Sequence, residues 1–209
     1  MNKNRFISFE GIDFSGKTTQ IRLLSERLKQ YNQKVTVIRE PGGTVISEHI
    51  RTILLNKKYS EMTSLCELFL YSAARHQLIK EKIRPALDSG YFVLADRYVD
   101  STTAYQGFGR QLSNKFVREV NDNVTKDCMP ALTFYLDLKP AEFLQRIRSQ
   151  NKSGDRLESS GEKFYRQVYE GYSKIVDKNK DRIKKIDASK SIEQIEMKIW
   201  KFIQKTYGF

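Results

Sequence analysis

The 209-residue sequence predicts one α/β domain, spanning residues 1–209, in which helices flank both faces of a five-stranded, mostly parallel sheet. Three observations predict this fold class. Short apolar runs of strand length alternate with longer segments of helical period, which is the pattern of repeated βαβ units. The length and the 39% hydrophobic content suit one compact core. No internal repeat and no proline- or glycine-rich linker marks a second domain.

Five apolar runs are the strand candidates: Phe6–Phe9, Val35–Ile38, Tyr91–Ala95, Leu132–Leu136 and Ile183–Ile186. Because a helical segment separates each run from the next, we expect crossover connections and hence mostly parallel pairing. The first of these segments has a stripe at three- and four-residue steps, the period of a helix face buried against a sheet. Its members are Ile21, Leu24, Leu28 and Tyr31.

A glycine-rich motif stands between the first strand and the first helix. It consists of Gly11, Ile12, Asp13, Phe14, Ser15, Gly16, Lys17 and Thr18, and it matches G-x-x-x-x-G-K-[ST] in the required context. Backbone N–H groups of such a loop surround phosphate oxygens, while Lys17 reaches the outer phosphates and Thr18 can ligate Mg²⁺. An ordinary glycine-rich turn is the alternative, and the strand–loop–helix context disfavours it. The motif therefore predicts a P-loop NTPase-type fold.

The third predicted strand ends in a charged pair, Asp96 and Arg97. Ligands of an open parallel sheet bind at the carboxyl ends of its strands. Asp96 is thus placed to hold the Mg²⁺ shell, and Arg97 is placed to bind a phosphate with its planar guanidinium. The alternative is an ion pair on the surface at a strand end.

A further helix is predicted from Glu61 to about Lys82, and its apolar stripe is expected in the core. The members of that stripe are Met62, Leu65, Cys66, Phe69 and Ala73. Tyr71 and Arg75 lie one turn apart on the other side, where an aromatic ring and a guanidinium could contact a planar base. From these residues alone, a solvated or subunit-contact face is favoured over a base site.

Composition limits the remaining classes of protein. The formal net charge of +12 suits nucleic acid, an anionic membrane surface or small polyanionic substrates, and it does not choose among them. No run of 18 apolar residues predicts a membrane span, and the N-terminus leaves no room for a signal peptide, so a cytoplasmic protein is expected. Cys66 and Cys128 are too few for a disulfide framework and are expected to be buried thiols.

The ordered motifs from Phe6 to about Tyr172 resemble those of the thymidylate kinase family in its bacterial form. The resemblance is carried by the P-loop and by four further strings. These are Arg39-Glu40-Pro41-Gly42-Gly43-Thr44 with Ile50-Arg51, then Tyr71-Ser72-Ala73-Ala74-Arg75, then Asp96-Arg97-Tyr98, and then Ser101-Thr102-Thr103-Ala104-Tyr105-Gln106-Gly107.

The resemblance implies roles for these residues and reverses the preference stated for Tyr71 and Arg75. It places Tyr71 against the thymine ring and Arg75 at its O4 edge, and it implies that Arg51 and Arg97 bind the acceptor phosphate. It also implies that the sugar and base are lined by Asp13, Thr102, Tyr105 and Gln106, with Glu40 shaping the pocket. Tyr71 is a departure, because the family usually has phenylalanine at this position.

A short lid at about residues 146–161 is implied as well. Because Phe14 stands where one branch of the family has a P-loop arginine, the cation that assists transfer should come from the lid. The candidates are Arg146, Arg148 and Arg156. The resemblance further implies a homodimer formed through the long helices.

The expected reaction transfers the γ-phosphoryl group of ATP, with Mg²⁺, to dTMP and gives dTDP and ADP. An acceptor phosphate is already largely ionised at neutral pH, so no hydroxyl proton has to be removed and no general base is expected. One alternative is another nucleoside-monophosphate or deoxynucleoside kinase. A nucleic-acid-associated P-loop ATPase is the second, although neither nucleic acid nor a membrane is the expected partner.

Overall fold

A computed structural model describes residues 4–126, 128–148, 156–157 and 160–209, and within them five parallel strands form one sheet. The strands are β1 (Phe6–Glu10), β2 (Val35–Arg39), β3 (Phe92–Asp96), β4 (Leu132–Asp137) and β5 (Ile183–Asp187). They lie in the order β2-β3-β1-β4-β5. All five predicted strands are confirmed, and the described pairs are parallel throughout.

Helices connect the strands. They are α1 (Lys17–Gln30), α2 (Val45–Leu55), α3 (Ser64–Leu78), α4 (Arg84–Asp88), α5 (Val99–Thr102), α6 (Asn114–Thr125), α7 (Pro140–Arg148), α8 (Gly161–Lys178) and α9 (Ile192–Tyr207). A 3₁₀ turn forms at Lys57–Tyr59, and wider π turns form at Ile79–Ile83 and Thr103–Gly109. Among the helices described, none combines the length and hydropathy required to cross a bilayer.

Apolar side chains cover both faces of the sheet. In β3, Phe92 and Leu94 join one buried cluster that includes residues of α1, while Val93 and Ala95 join another with the end of α3 and the π turn that follows it. Successive side chains of a strand point to opposite faces, so a strand buried on both sides consists almost wholly of apolar residues. The carboxyl ends of β1 and β3 are thereby held side by side.

The stripe predicted for α1 is buried at Ile21, Leu24 and Leu28, but Tyr31 is not part of the core. The helix ends at Gln30, so Tyr31 departs from the helical period. The residue is 44% exposed, and its ring packs against Trp200 of α9.

The predicted core stripe of α3 is wrong. Leu65 is 43% exposed and Phe69 is 48% exposed, and both Cys66 and Ala73 are exposed as well. The opposite side of α3 is buried. It carries Glu67 and Arg75, whose side chains form hydrogen bonds inside the protein. The expectation of two buried thiols therefore holds only for Cys128.

The π turn 103–109 is packed closely against α8. A Cβ atom added at Gly109 would stand 2.6 Å from Phe164, and one added at Gly171 would stand 2.7 Å from Phe108. Two glycines thus allow the backbones of the turn and of α8 to approach each other. This contact fixes the position of a segment that carries two of the predicted substrate-binding residues, Tyr105 and Gln106.

Candidate active site

The loop after β1 has the backbone of a phosphate-binding cradle. Gly11 and Gly16 have φ values of 138° and 92°, and Phe14 has a φ of 59°, in the left-handed region. This sequence of conformations turns successive N–H groups inward at the N-terminus of α1, where the helix dipole also favours anions. Ile12 and Ser15, within the loop, are buried.

Lys17 is held inside this cradle. Its Nζ donates to the carbonyl oxygens of Gly11 at 3.1 Å and of Ile12 at 2.9 Å. Burial, together with the positive charge of Arg97, lowers the pKa of Lys17 to about 8. Phosphate oxygens would favour the charged form, because an opposite charge nearby offsets the desolvation of the ammonium group.

Thr18 and Asp96 bring two oxygen ligands together at the mouth of the loop. The Thr18 hydroxyl donates to Asp96 Oδ2 at 2.9 Å. A hydroxyl beside a carboxylate is the type of oxygen donor set that Mg²⁺ binds in nucleotide sites. These two residues therefore fit the ion that the sequence predicts.

Arg97 lies between the P-loop and a cavity that also contains Tyr105. With a φ of 71° it leaves the strand direction directly after β3. Its guanidinium donates to Gly11 O at 2.8 Å, to Asp13 Oδ1 at 2.6 Å and to the Tyr105 hydroxyl at 3.2 Å. Burial would raise the pKa of Asp13, but the charges of Arg97 and Lys17 outweigh it and lower that pKa. Asp13 is thus an anion, and its ion pair with Arg97 holds the guanidinium in place.

A buried carboxylate supports this arrangement from below. Glu10 accepts hydrogen bonds from the backbone N–H of Tyr98 at 2.7 Å and from the hydroxyls of Ser101 and Tyr172 at 2.5 and 2.9 Å. Burial and the charge of Asp100 raise the pKa of Glu10 to about 7.

Two cavities meet at Arg97. One contains the P-loop and is lined by Phe14, Gly16, Lys17, Thr18, Asp96 and Arg146 among others. The second includes all nine residues predicted to bind the acceptor: Asp13, Glu40, Arg51, Tyr71, Arg75, Arg97, Thr102, Tyr105 and Gln106. Four residues line both cavities: Asp13, Glu40, Arg51 and Arg97.

Arg75 is the deepest cation of the second cavity, and it is only 2% exposed. It pairs with Glu40 at 2.7 Å, donates from Nη1 to Asn121 at 3.2 Å and lies over the ring of Tyr98. Burial raises the pKa of Glu40 despite the charge of Arg75. Oε1 of Glu40 has no hydrogen-bond partner among the described residues. Tyr71 and Arg75 therefore line a cavity and not a solvated face, which contradicts the preference drawn from α3 alone.

Glu67 is a residue that the sequence did not single out. It is completely buried, and its carboxylate accepts hydrogen bonds from Gln106 Nε2 at 2.8 Å, from Arg110 Nε at 3.2 Å and from Arg156 Nη2 at 2.5 Å. The available signal was its spacing, since Glu67 precedes Tyr71 by four residues and Arg75 by eight and so shares their helix face.

The predicted lid arginines occupy different places. Arg146 donates to the carbonyl oxygens of Phe14 at 2.7 Å and of Ala188 at 3.0 Å, so it lies on the P-loop side. Arg156 instead bonds Glu67 and the carbonyl of Leu54, on the acceptor side. The side chain of Arg148 and most of the predicted lid lie outside the described residues.

A family model, related sequences and a solved structure each match this chain over nearly its whole length. A family model described as thymidylate kinase matches residues 9–199. A thymidylate kinase of Bacillus cereus (strain ATCC 10987 / NRS 248) is 44% identical over 194 residues, which are 92% of this chain and 93% of that protein. One from Bacillus cereus (strain B4264) is 42% identical over 203 residues, which are 97% of this chain and 98% of that protein. The crystal structure of thymidylate kinase from Ehrlichia chaffeensis superimposes with a TM-score of 0.77 at 35% identity, over 95% of this chain and 97% of that one.

Proposed function

The chain belongs to the thymidylate kinase family, and on that premise we propose that it transfers the γ-phosphoryl group of ATP to dTMP, giving dTDP and ADP. The observation that supports this reaction best is the pair of adjoining cavities that share Asp13, Glu40, Arg51 and Arg97. Such an arrangement suits two phosphorylated ligands that must meet end to end.

The donor phosphates belong to the P-loop side. Backbone N–H groups of residues 11–18 would surround them, and Lys17 would exchange its loop carbonyls for phosphate oxygens. Arg146, which bridges Phe14 and Ala188, stands beside this loop as the lid cation with access to the donor. Thr18 and Asp96 would hold Mg²⁺, which when bound neutralises charge on the ATP phosphates.

The acceptor belongs to the second cavity. Tyr71 and Arg75 would contact the thymine ring and its O4 edge, whereas Arg51 and Arg97 would bind the phosphate of dTMP. Two observations support this division. Arg97 lines both cavities and donates to Gly11 O of the P-loop, whereas Arg75 lines only the second cavity and pairs there with Glu40.

For phosphoryl transfer, the protein has to position the two nucleotides and supply positive charge. The acceptor phosphate is a nucleophile without a proton to lose, so the site can operate with cations and without a general base. Lys17 and Arg97 offset the repulsion between two polyanions and stabilise the charge of the transition state.

We also propose that the enzyme is a homodimer and that it works in the cytoplasm. Exposed apolar side chains on α2, α3 and α6 support the dimer, since Leu65, Phe69, Phe116, Val45 and Ile53 would otherwise face water. Phe69 and Phe116 already contact each other across α3 and α6. Exposed apolar side chains that lie together mark interaction surfaces, and the contact between these two rings is the observation that supports such a surface here.

The test is ADP production by the purified protein with ATP and Mg²⁺. The acceptors dTMP, dUMP, UMP, CMP, AMP and GMP are offered in parallel with a sample that contains none. Strong preference for dTMP is expected. A different preferred acceptor would keep the kinase and remove the base-site roles of Tyr71 and Arg75. ADP release that ignores every acceptor, and that DNA or RNA stimulates, would instead indicate a nucleic-acid-associated ATPase.

A further inference from the structure

Glu67 lies at the end of a row on α3 whose other members, Tyr71 and Arg75, line the acceptor cavity. Glu67 is fully buried, and its Oε1 accepts a hydrogen bond from Gln106 Nε2 at 2.8 Å. Gln106 itself is buried and lines the same cavity. The carboxylate thus contacts the cavity wall from behind.

This contact determines which end of the Gln106 amide faces away from Glu67 and toward the cavity. An ionised carboxylate can only accept hydrogen bonds, so the NH₂ group of Gln106 must point toward it. The carbonyl oxygen is then the end that the amide presents on its other side. Because an amide can turn about its last bond, a neutral partner at position 67 would allow both orientations.

Two arginines keep Glu67 in the ionised form. Burial raises the pKa of Glu67, but hydrogen bonds and charge from Arg110, with bonds from Gln106 and Arg156, outweigh burial and lower that pKa. Arg110 bonds both carboxylate oxygens at 3.2 Å. Glu67 is therefore an acceptor at neutral pH and does not present a proton to Gln106.

The orientation of Gln106 matters for the choice of base. Arg75 has only donors, so a base edge that meets it must offer an acceptor. A carbonyl of Gln106 requires a donor from the same edge. Thymine and uracil present an O4 acceptor next to an N3–H donor, whereas cytosine presents an amino donor next to an N3 acceptor.

We propose that Glu67 is a specificity-determining positioning residue, which holds the Gln106 amide so that the site accepts 4-keto pyrimidines and rejects cytosine. Glu67 acts through Gln106 and does not touch the substrate. This inference rests on the proposed function, because it assigns the base discrimination of the acceptor cavity.

The experiment compares kcat/KM for dTMP, dUMP and dCMP in the unaltered protein and in Glu67→Gln. The amide at position 67 can donate or accept, so Gln106 loses its fixed orientation. The preference for dTMP over dCMP should fall about tenfold or more, because a site that fits both donors and acceptors loses the penalty of a mismatched pair. The ratio of dTMP to dUMP should stay within about twofold, since both bases present the same N3–H and O4 edge.

A swapped variant, Glu67→Gln with Gln106→Glu, provides the rescue. It has the same composition, and a carboxylate at position 106 can again only accept from the base. It should restore at least half of the lost discrimination on a logarithmic scale. Because the swap retains one carboxylate in the cluster, it also decides the matter if Glu67→Gln alone does not fold. A swapped variant that folds but discriminates no better than a site with Gln106→Met would overturn the proposal.

Asp100→Asn is the matched control. Asp100 is a buried carboxylate of α5 that pairs with Arg182 at 2.7 Å, but it has no hydrogen bond to Gln106 among those described. It should lower the temperature of unfolding and leave the dTMP to dCMP ratio unchanged. An equal loss for dTMP and dCMP in Glu67→Gln would show a merely structural role and sink the idea. If the unaltered protein phosphorylates no nucleotide, the proposed function itself fails, which is a different result.

Discussion

At the scale of single residues, the position of Arg97 depends on a backbone conformation that L-residues seldom adopt. Its φ of 71° turns the chain directly after β3, and the guanidinium is then held by Gly11 O and Asp13. Such conformations persist only where the surroundings stabilise them, and they are concentrated at functional sites.

Arg97→Ala should therefore reduce turnover with dTMP by roughly a hundredfold or more, the loss typical of a removed charge-stabilising donor. The measurement is kcat with ATP and dTMP at saturation. Arg22→Ala, which removes an exposed arginine paired with Glu26 on α1, is the control and should leave kcat unchanged. Turnover within a few-fold of the unaltered protein would remove Arg97 from the mechanism.

Glu10 makes stability depend on pH. Its pKa rises from 4.5 to about 7 on folding, mainly through burial, so the folded protein binds more protons than the unfolded chain between these values. The contribution is fully present below pH 4.5 and is lost as the pH rises through about 7. It is on the order of 3 kcal/mol.

Glu10→Gln should flatten that dependence, because an amide does not ionise and the hydroxyls of Ser101 and Tyr172 can turn to accept from it. The free energy of unfolding in urea, measured at pH 5 and at pH 8, should fall less with pH in the variant than in the unaltered protein. Identical slopes would mean that Glu10 is not the group that titrates.

At the scale of elements, the contact between the π turn and α8 positions the segment that carries Tyr105 and Gln106. Gly171→Ala would place a Cβ 2.7 Å from Phe108, which must move. We expect a loss of about 1–3 kcal/mol in the free energy of unfolding, as for other overpacked sites, together with a higher KM for dTMP. Glu170→Ala, at the exposed neighbouring position, should change neither quantity. An unchanged KM in Gly171→Ala would show that the turn adapts without moving the site.

The elements also show what the sequence could and could not predict. The central strands β1, β3 and β4 are buried on both faces and are therefore almost continuous apolar runs. The edge strands β2 and β5 are partly exposed and were found from the fewer apolar residues that they carry. The P-loop residues were found because their spacing is specific. The face of α3 was assigned wrongly, because Leu65 and Phe69 are apolar and yet exposed. Hydrophobicity alone does not say whether an apolar face packs inside the chain. A buried Glu67 or Arg75 depends on partners at Gln106 and Glu40, which are remote in sequence and visible only once the chain is folded.

At the scale of the whole molecule, the exposed rings of α3 and α6 lead to a prediction about assembly. Phe69→Asp should convert the protein from dimer to monomer, because a charge in an apolar interface is left without a partner. The mass from light scattering after size exclusion measures this. Met197→Asp, at a position 52% exposed on α9, should leave the mass unchanged. A protein that is already monomeric at every concentration would contradict the proposed dimer.

The order of strands determines when this protein can fold during synthesis. β1 leaves the ribosome before the four other strands described, yet its neighbours in the sheet are β3 and β4, with Phe6 beside Val93 and Ile7 beside Leu132. Pairing between such distant segments is slow, and an unpaired apolar strand is exposed to aggregation until its partners exist. The P-loop strand must therefore wait for more than half of the chain, so truncated nascent chains that end before β4 should be the species that chaperones bind.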